Sequence, residues 1–358
     1  MKKQFFVPGR TELAGNHTDH QDGRFLASAV DLGLYGEAEP GGSTVRIQSQ
    51  GFEPFEAHFS NLPVRTSEFG TSKALVRGML AEFKALGLNI GGFSAKITST
   101  LISGSGLSSS AAFSVMIGQI LNKLFNGGKV DPVVIARAAM TAENEYFGKP
   151  CGLMSPMTCA LGHTIYMDLK TQEYERLDAD FASMGLTLCL TDTGGSHAGL
   201  DTSYARIPAD MVYIANFFDE GKLGYVDPAE FRKKGWANSN RPVRRATHFF
   251  DENERVPRMR DALKSGDGET YMRLMNESGR SSEKLLNNIV TSATGDTKLE
   301  NGLELSAKLL EGRGAWRVHG GGFAGCVQAL MPTDYFPFYK QEVEKVFGPG
   351  KCRPIKLI

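Results

Sequence analysis

The stretch Leu101–Ala112, Leu-Ile-Ser-Gly-Ser-Gly-Leu-Ser-Ser-Ser-Ala-Ala, constrains the fold more than any other part of the chain. Before it, Phe93, Ala95, Ile97, Ser99 and Leu101 alternate with mostly polar residues, the period of a half-buried strand. After it, Phe113 to Phe125 carries apolar residues at helical spacing. A Gly-Ser turn therefore leaves a strand and opens a helix. Glycines let backbone N–H groups approach a ligand closely, and the first N–H groups of a helix lack internal partners. The helix dipole adds positive potential there, and serine hydroxyls add further donors or metal ligands. The turn is either an anion site or an ordinary strand-to-helix connection.

The remaining totals limit what such a site serves. The 358 residues suffice for about two domains, and a hydrophobic content of 41% supports a sizeable core. Lys+Arg and Asp+Glu both number 40, which argues against nucleic acid or a membrane surface bound by bulk charge. Small molecules recognised locally are the expected partners. The five cysteines, Cys151, Cys159, Cys189, Cys326 and Cys352, are scattered and form no CxxC pair, so neither a disulfide framework nor a zinc site is expected. After Met1-Lys2-Lys3 only Phe5-Phe6-Val7 precedes Pro8, too short for a signal h-region, and no apolar run reaches the length of a membrane span. A cytoplasmic protein is expected.

Along the chain, residues 4–10 read as a short strand ending at Pro8-Gly9, followed by a polar segment through Gly23. Strands are expected over Phe25–Glu37 and Thr44–Ser60, and an amphipathic helix over Ser72–Leu86 with Leu75, Val76, Met79, Leu80 and Phe83 on one face. Asp131-Pro132 starts a helix that runs to Phe147, with Glu143 and Glu145 near its end, either solvated or paired with a cation. Ser155-Pro156 reads as the N-cap and first position of the next helix. Strands follow at 163–178 and 184–193, and a change in spacing near residue 180 marks the expected domain boundary. The second half is mostly helical, over Ser203–Phe218, Arg244 to about Arg255, Tyr271–Leu285 and Leu303–Leu310. Ala315–Cys326, glycine-rich at Gly320-Gly321-Gly322, leads into a strand at Val327–Met331, and a helix at Tyr335–Phe347 and a strand from Cys352 close the chain.

Three glycine-bearing segments thus stand in order: Pro8-Gly9-Arg10 with Gly15-Asn16-His17-Thr18-Asp19, then Gly104–Ala112, then Gly320–Cys326. Together they resemble the three signature motifs of the GHMP kinases, most closely those of galactokinases, whose first motif reads Gly-Arg-Val-Asn-Leu-Ile-Gly-Glu-His-Thr-Asp-Tyr. Arg244–His248 and Leu274–Ser278 also resemble galactokinase segments. The resemblance implies an α/β and α+β two-domain fold. An N-terminal ATP-binding domain like ribosomal protein S5 domain 2 would span 1–180, and a ferredoxin-like C-terminal domain 181–358, with the active site in the cleft between them. It implies ATP, Mg²⁺ and a sugar as partners, in a monomer or weak homodimer. Carried over, Gly104, Ser105, Gly106, Leu107, Ser108, Ser109 and Ser110 would form the phosphate loop, with Ser109 and Glu143 as Mg²⁺ ligands. Arg10 would sit by the transferred phosphoryl group, where a fixed cation stabilises developing charge. Glu12, Asn16, His17, Asp19, Gly152, Tyr204 and Gly321 would serve the sugar site.

The chain departs from that pattern at chemically telling places. Where galactokinases carry Asp-Gln after Cys-Gly-Ile-Met, with the aspartate as proposed base, this chain has Ser155-Pro156, and serine is no carboxylate base. Asn16 stands where the family has glutamate, removing a carboxylate that would accept a sugar hydroxyl, and His20 stands for tyrosine. Glu12 stands for asparagine, two residues along a strand from Arg10. It either pairs with Arg10, partly supplies the missing base, or forms a salt bridge with no catalytic role. Gly279 stands for histidine. Three readings follow. One is a galactokinase-type enzyme passing the ATP γ-phosphate to the anomeric hydroxyl of galactose or a related sugar, attenuated by the loss of aspartate. The second is a non-catalytic sugar and ATP sensor on the same scaffold, and the third a kinase of another hydroxylated substrate. Loss of a general base costs roughly 10²–10⁴ in rate. Phosphoryl transfer relies mainly on positioning and electrostatics, so Ser155 does not by itself exclude catalysis.

Overall fold

The structure, a computed structural model, describes residues 1–60, 62–101, 106–196, 199–236, 240–291 and 293–358. Its contacts gather into two compact units, each built from separate segments. One comprises Met1–Arg10, Ala29–Ser103 and Leu107–His163; the other comprises Thr11–Ser28, Gly104–Gly106 and Thr164–Ile358. Two long strands, β1 (Lys3–Ala14) and β2 (Arg24–Pro40), contribute residues to both.

In the first unit, β3 (Val45–Ser49), β4 (Phe55–Ala57), α1 (Ser72–Ala85) and β5 (Phe93–Ser99) precede α2 (Ser109–Phe125), α3 (Pro132–Thr141) and α4 (Met154–Leu161). The sheet runs β4-β3-β5-β2, with β1 also on β2; β3 is parallel to β5, and β2 antiparallel to it. The apolar stripe expected on α1 is its buried face, packed with Val115, Met116 and Ile120 of α2 and with Phe93 and Ile97 of β5. Thr71 caps α1 by accepting from the Ala74 N–H at 3.2 Å, and Asp131 caps α3 from the Val133 N–H at 2.7 Å.

In the second unit, β6 (Thr164–Asp168) and β7 (Glu173–Leu177) form a hairpin, with β6 paired to Arg24–Ala27 of β2. Then follow β8 (Leu186–Asp192), α5 (Asp201–Ala215), α6 (Pro228–Lys233), α7 (Arg241–Ser265), α8 (Gly268–Ser281), α9 (Lys298–Leu310), β9 (Ala315–His319), β10 (Cys326–Pro332), α10 (Phe336–Phe347) and β11 (Cys352–Pro354). The antiparallel sheet β11-β8-β10-β9, with helices between β8 and β9 and between β10 and β11, has the ferredoxin-like strand order.

Several local expectations shift. β1 does not stop at Pro8-Gly9 but runs to Ala14, because Val7 to Ala14 are all buried and the polar side chains among them find partners. α2 starts at Ser109, so Ser109 and Ser110 are helical residues and Ser108 is the cap. α3 passes at Ala142–Phe147 into a π-helical turn, which buries Glu143. π turns recur at functional sites. α7 is much longer than expected, and α6 was not expected at all.

Gly78 of α1 lies against that π turn. A Cβ there would fall 2.6 Å from the Ala142 Cβ and 2.8 Å from its Cα, so the turn has no room to yield without moving its backbone. We expect Gly78→Ala to destabilise the protein by about 1–3 kcal/mol, although alanine ordinarily favours a helix. Urea unfolding of the variant against wild type checks this, and a gain in stability would contradict the packing argument.

Candidate active site

In the first unit, Ser155 is the meeting point. The Arg10 Nε–H donates to the Ser155 Oγ at 2.9 Å, and the Ser108 hydroxyl donates to the same oxygen at 2.9 Å. The Arg10 backbone N–H also donates to the Leu107 carbonyl at 3.2 Å. Arg10 is thereby tied to the start of α2 by main chain and by side chain. Ser155 is not the N-cap that its sequence suggests. α4 begins two residues earlier, with Leu153 in the N-cap position, and the hydroxyl serves Arg10 and Ser108 instead of capping the helix. Ser108 occupies the N-cap of α2 in the left-handed region, φ 59° and ψ 55°, a conformation that serine holds at a cost. Ser109 is exposed at the first helical position, followed by Ser110, with Leu107 buried beneath. Gly152 is half-buried just ahead of α4. Gly104 and Ser105 lie outside the described residues.

Glu143 is 3% exposed, and its Oε1 has no hydrogen-bond partner among the described residues. A buried carboxylate oxygen without a donor carries a large desolvation cost, which a cation would relieve. No group of three or more His, Cys, Asp or Glu side chains gathers as a metal site among the described residues. That donor set suits Mg²⁺, which usually takes one or two carboxylates and completes its shell with water and phosphate oxygens.

In the second unit, the glycine loop is held by its carbonyls. The Asn16 Nδ2 donates to the Gly320 carbonyl at 2.7 Å. The His17 Nε2 at 3.0 Å and the Asn288 Nδ2 at 3.2 Å donate to that of Gly321. The Tyr204 hydroxyl donates to that of Gly322 at 2.7 Å. Asn16, His17, Tyr204 and Gly321, singled out from sequence, do come together. Gly322, at φ 83°, admits no side chain, since a Cβ would fall 2.1 Å from the Asn288 carbonyl oxygen. Because a carbonyl only accepts, His17 carries its proton on Nε2. Its Nδ1 therefore accepts from the His20 Nε2–H at 3.1 Å, and the His20 Nδ1 faces the Gln21 amide at 3.3 Å. Asp19 accepts from the His20 backbone N–H at 2.9 Å. Gly279 also has a local reason: a Cβ there would lie 2.9 Å from the Trp316 carbonyl oxygen, so α8 packs on β9 only with glycine at that point.

Glu12 meets Arg317, with Nη2 to Oε1 at 3.1 Å. The Glu12 carboxylate also accepts from the Asn16 Nδ2 at 3.2 and 3.3 Å. Both residues are 1% exposed, so their side chains serve the interior of the unit. Glu252 of α7 accepts from the Gly15 N–H at 3.1 Å and the Ser278 hydroxyl at 2.8 Å, and pairs with Arg255. His248 bonds the Asn16 carbonyl through Nε2 at 2.9 Å. The sequence reading missed Arg317, Asn288, His248 and Glu252. Arg245, His248, Glu252 and Arg255 recur on one face of α7 together with Phe249 and Val256, and that polar stripe inside an apolar face was their signal.

Burial lowers the pKa of His17 to about 4, outweighing its bond to Gly321, and lowers those of His20 and His248 as well. Burial opposes the charge on Glu252. The Arg255 charge, with those of His248 and Arg317 and the Ser278 hydroxyl, outweighs it and holds that carboxyl at about 2.

The comparisons with known proteins follow this geometry. The GHMP kinases N terminal domain matches residues 74–163, and the galactokinase galactose-binding signature matches residues 2–40. The crystal structure of Methanococcus jannaschii mevalonate kinase superimposes with a TM-score of 0.70 at 15% identity, covering 100% of this chain and 99% of that one. The fold is thus that of the GHMP kinases. The crystal structure of Lactococcus lactis galactokinase complexed with galactose superimposes with a TM-score of 0.88 at 22% identity, covering 99% of this chain and 93% of that one. Galactokinase of Limosilactobacillus reuteri (strain DSM 20016) is 30% identical over 360 residues, 97% of this chain and 90% of its own. The chain belongs to the galactokinase family.

The lowered pKa values fix a pH dependence. His17 falls from its ordinary 6.5 to about 4 on folding, so the stability tied to its neutral form is complete above pH 6.5 and is lost as pH falls toward 4. His20 and His248 act in the same direction. Glu252, lowered from 4.5 to about 2, adds a second loss as pH falls below 4.5. Thermal melts from pH 8 to 3 should show Tm falling from about pH 6.5 downward, and His20→Gln should flatten the upper part of that fall. A wild-type profile level between pH 6.5 and 4 would contradict the assignment.

Proposed function

We propose that the protein is an ATP-dependent sugar kinase that transfers the γ-phosphate to the anomeric hydroxyl of galactose or a related sugar. The observation that carries this reading is the Arg10–Ser155–Ser108 chain, which fixes a guanidinium to the N-terminus of α2. Residues 1–180 serve as the ATP-binding domain and 181–358 as the second family domain, in a cytoplasmic monomer or weak homodimer. No helix among the described residues is long and apolar enough to cross a membrane.

The α2 N-terminus, with its unpartnered N–H groups and the Ser108, Ser109 and Ser110 hydroxyls, holds the triphosphate. Glu143 and Ser109 hold Mg²⁺, which when bound neutralises charge on the phosphate oxygens. Arg10 sets a fixed positive charge where charge develops on the transferred phosphoryl group, and its two ties spare it reorganisation. His17, Asp19, Tyr204 and Gly321 serve the sugar in the second unit, with the glycine loop held rigid by Asn16, His17, Asn288 and Tyr204. As the sugar oxygen bonds to phosphorus, the bond to the bridging oxygen of ADP breaks. Ser155 orients Arg10 and takes no proton, so the hydroxyl proton leaves to water or to the transferred phosphate.

Ser155 also favours a second reading, a sensor that binds sugar and ATP without turnover. ADP release with Mg-ATP and galactose, galactosamine, arabinose or homoserine separates the two. We expect wild-type turnover with a sugar, a kcat about 10²-fold lower in Arg10→Ala, and one within about tenfold of wild type in Ser155→Asp, where the regained base and the dampened Arg10 field offset each other. Sugar binding without wild-type turnover, with activity appearing only in Ser155→Asp, would establish the sensor.

A further inference from the structure

Positions 12 and 16 carry the family's asparagine and glutamate in reversed order, and the structure places the two side chains in contact. The Asn16 amide is committed at both ends. Its Nδ2 donates to the Glu12 carboxylate at 3.2 and 3.3 Å and to the Gly320 carbonyl at 2.7 Å. Its Oδ1 accepts from the Ser282 hydroxyl at 3.2 Å and the Asn288 Nδ2 at 3.1 Å. A carboxylate at 16 would turn an oxygen toward both the Glu12 carboxylate and the Gly320 carbonyl, so three acceptors would face one another without a proton. Glu12 in turn answers Arg317, which is 1% exposed.

Charge counting makes the coupling explicit. Glu12 and Glu252 pair with Arg317 and Arg255, all four buried, and the half-buried Glu277 also reaches Arg255 at 3.8 Å. Asn16→Glu alone adds one negative charge to this cluster, and Glu12→Asn alone removes one. Exchanging both keeps the charge of the cluster and one amide–carboxylate contact. An uncompensated buried charge is among the costliest single changes a core can suffer.

We propose that Glu12 and Asn16 are one exchangeable carboxylate–amide unit. In the order found here the carboxylate answers Arg317 and the amide donates to the Gly320 carbonyl, so the pair positions the glycine loop. The bearing on sugar binding rests on the sugar-kinase reading above; the pairing does not.

The test is a double-mutant cycle on the full chain with Glu12→Asn, Asn16→Glu and both together. Thermal melts need no sugar. Each single variant should lose about 5 °C or more, or fail to fold, while the double variant melts well above both. A double variant no more stable than the worse single one overturns the pairing. For positioning, KM and kcat are measured for wild type and the double variant with galactose. Having lost the amide donor to the Gly320 carbonyl, the double variant should raise KM for galactose about tenfold, with kcat little changed. An unchanged KM overturns the positioning role. Absence of any sugar binding or turnover in both proteins overturns it together with the sugar reading, and the melts still decide the pairing.

Discussion

The buried ion cluster of the second unit is the constraint around which the candidate sugar half-site is arranged. Arg317 is 1% exposed and Glu252 fully buried, so neither charge is solvated by water. Such groups persist only when paired and hydrogen-bonded throughout. Arg317 therefore gathers the Glu12 carboxylate and main chain, the Gln328 amide at 2.9 Å and the Ser278 hydroxyl at 3.3 Å. Glu252 gathers Arg255, Ser278 and the Gly15 N–H. Asn16 bridges both sets, and through it and its neighbour His17 the glycine loop is fixed at Gly320 and Gly321. The positions of Asn16, His17 and the loop thus follow from the need to satisfy charges that lie behind them.

The first unit holds a buried cation of its own. Arg10 is 7% exposed and rests on a hydroxyl at Ser155, itself bonded to Ser108. The left-handed backbone of Ser108 is the kind of strain that a site retains when the surroundings over-determine it. Glu143 is set differently again. The π turn rotates it into the interior, and the close approach of α1 at Gly78 leaves that turn no alternative course.

The sequence made much of this legible, and the limits have physical causes. The apolar stripe of α1 and the caps Thr71 and Asp131 obey local rules and needed no tertiary context. The first and third glycine segments named Asn16, His17 and Gly321, which the second unit brings together. Periodicity failed at β1, where Arg10, Thr11 and Glu12 look like a polar loop but are strand residues whose charges are met by residues far along the chain. It failed at Ser155, where a good local cap signal lost to two tertiary hydrogen bonds. It was silent about Asn288, whose role depends on a carbonyl in another loop. The polar stripe of α7 was present in the sequence, but its partners were not.

Two departures from the family motif each remove a carboxylate. Relative to that motif, position 155 has exchanged an aspartate for a serine, and position 16 a glutamate for an asparagine. The carboxylate gained at position 12 is matched by Arg317. Position 155 meets the Arg10 guanidinium, whose neighbourhood has lost one carboxylate. Two unit charges about 4 Å apart interact by about 4 kcal/mol at an effective dielectric of about 20. A missing general base raises a barrier by roughly 3–5 kcal/mol. The two magnitudes are alike. A carboxylate beside Arg10 both accepts a proton and dampens the field that stabilises the phosphoryl charge, and a serine gives up the first effect while relieving the second. For a loose transition state, in which charge on the transferred group matters more than early loss of the hydroxyl proton, the exchange is compatible with turnover.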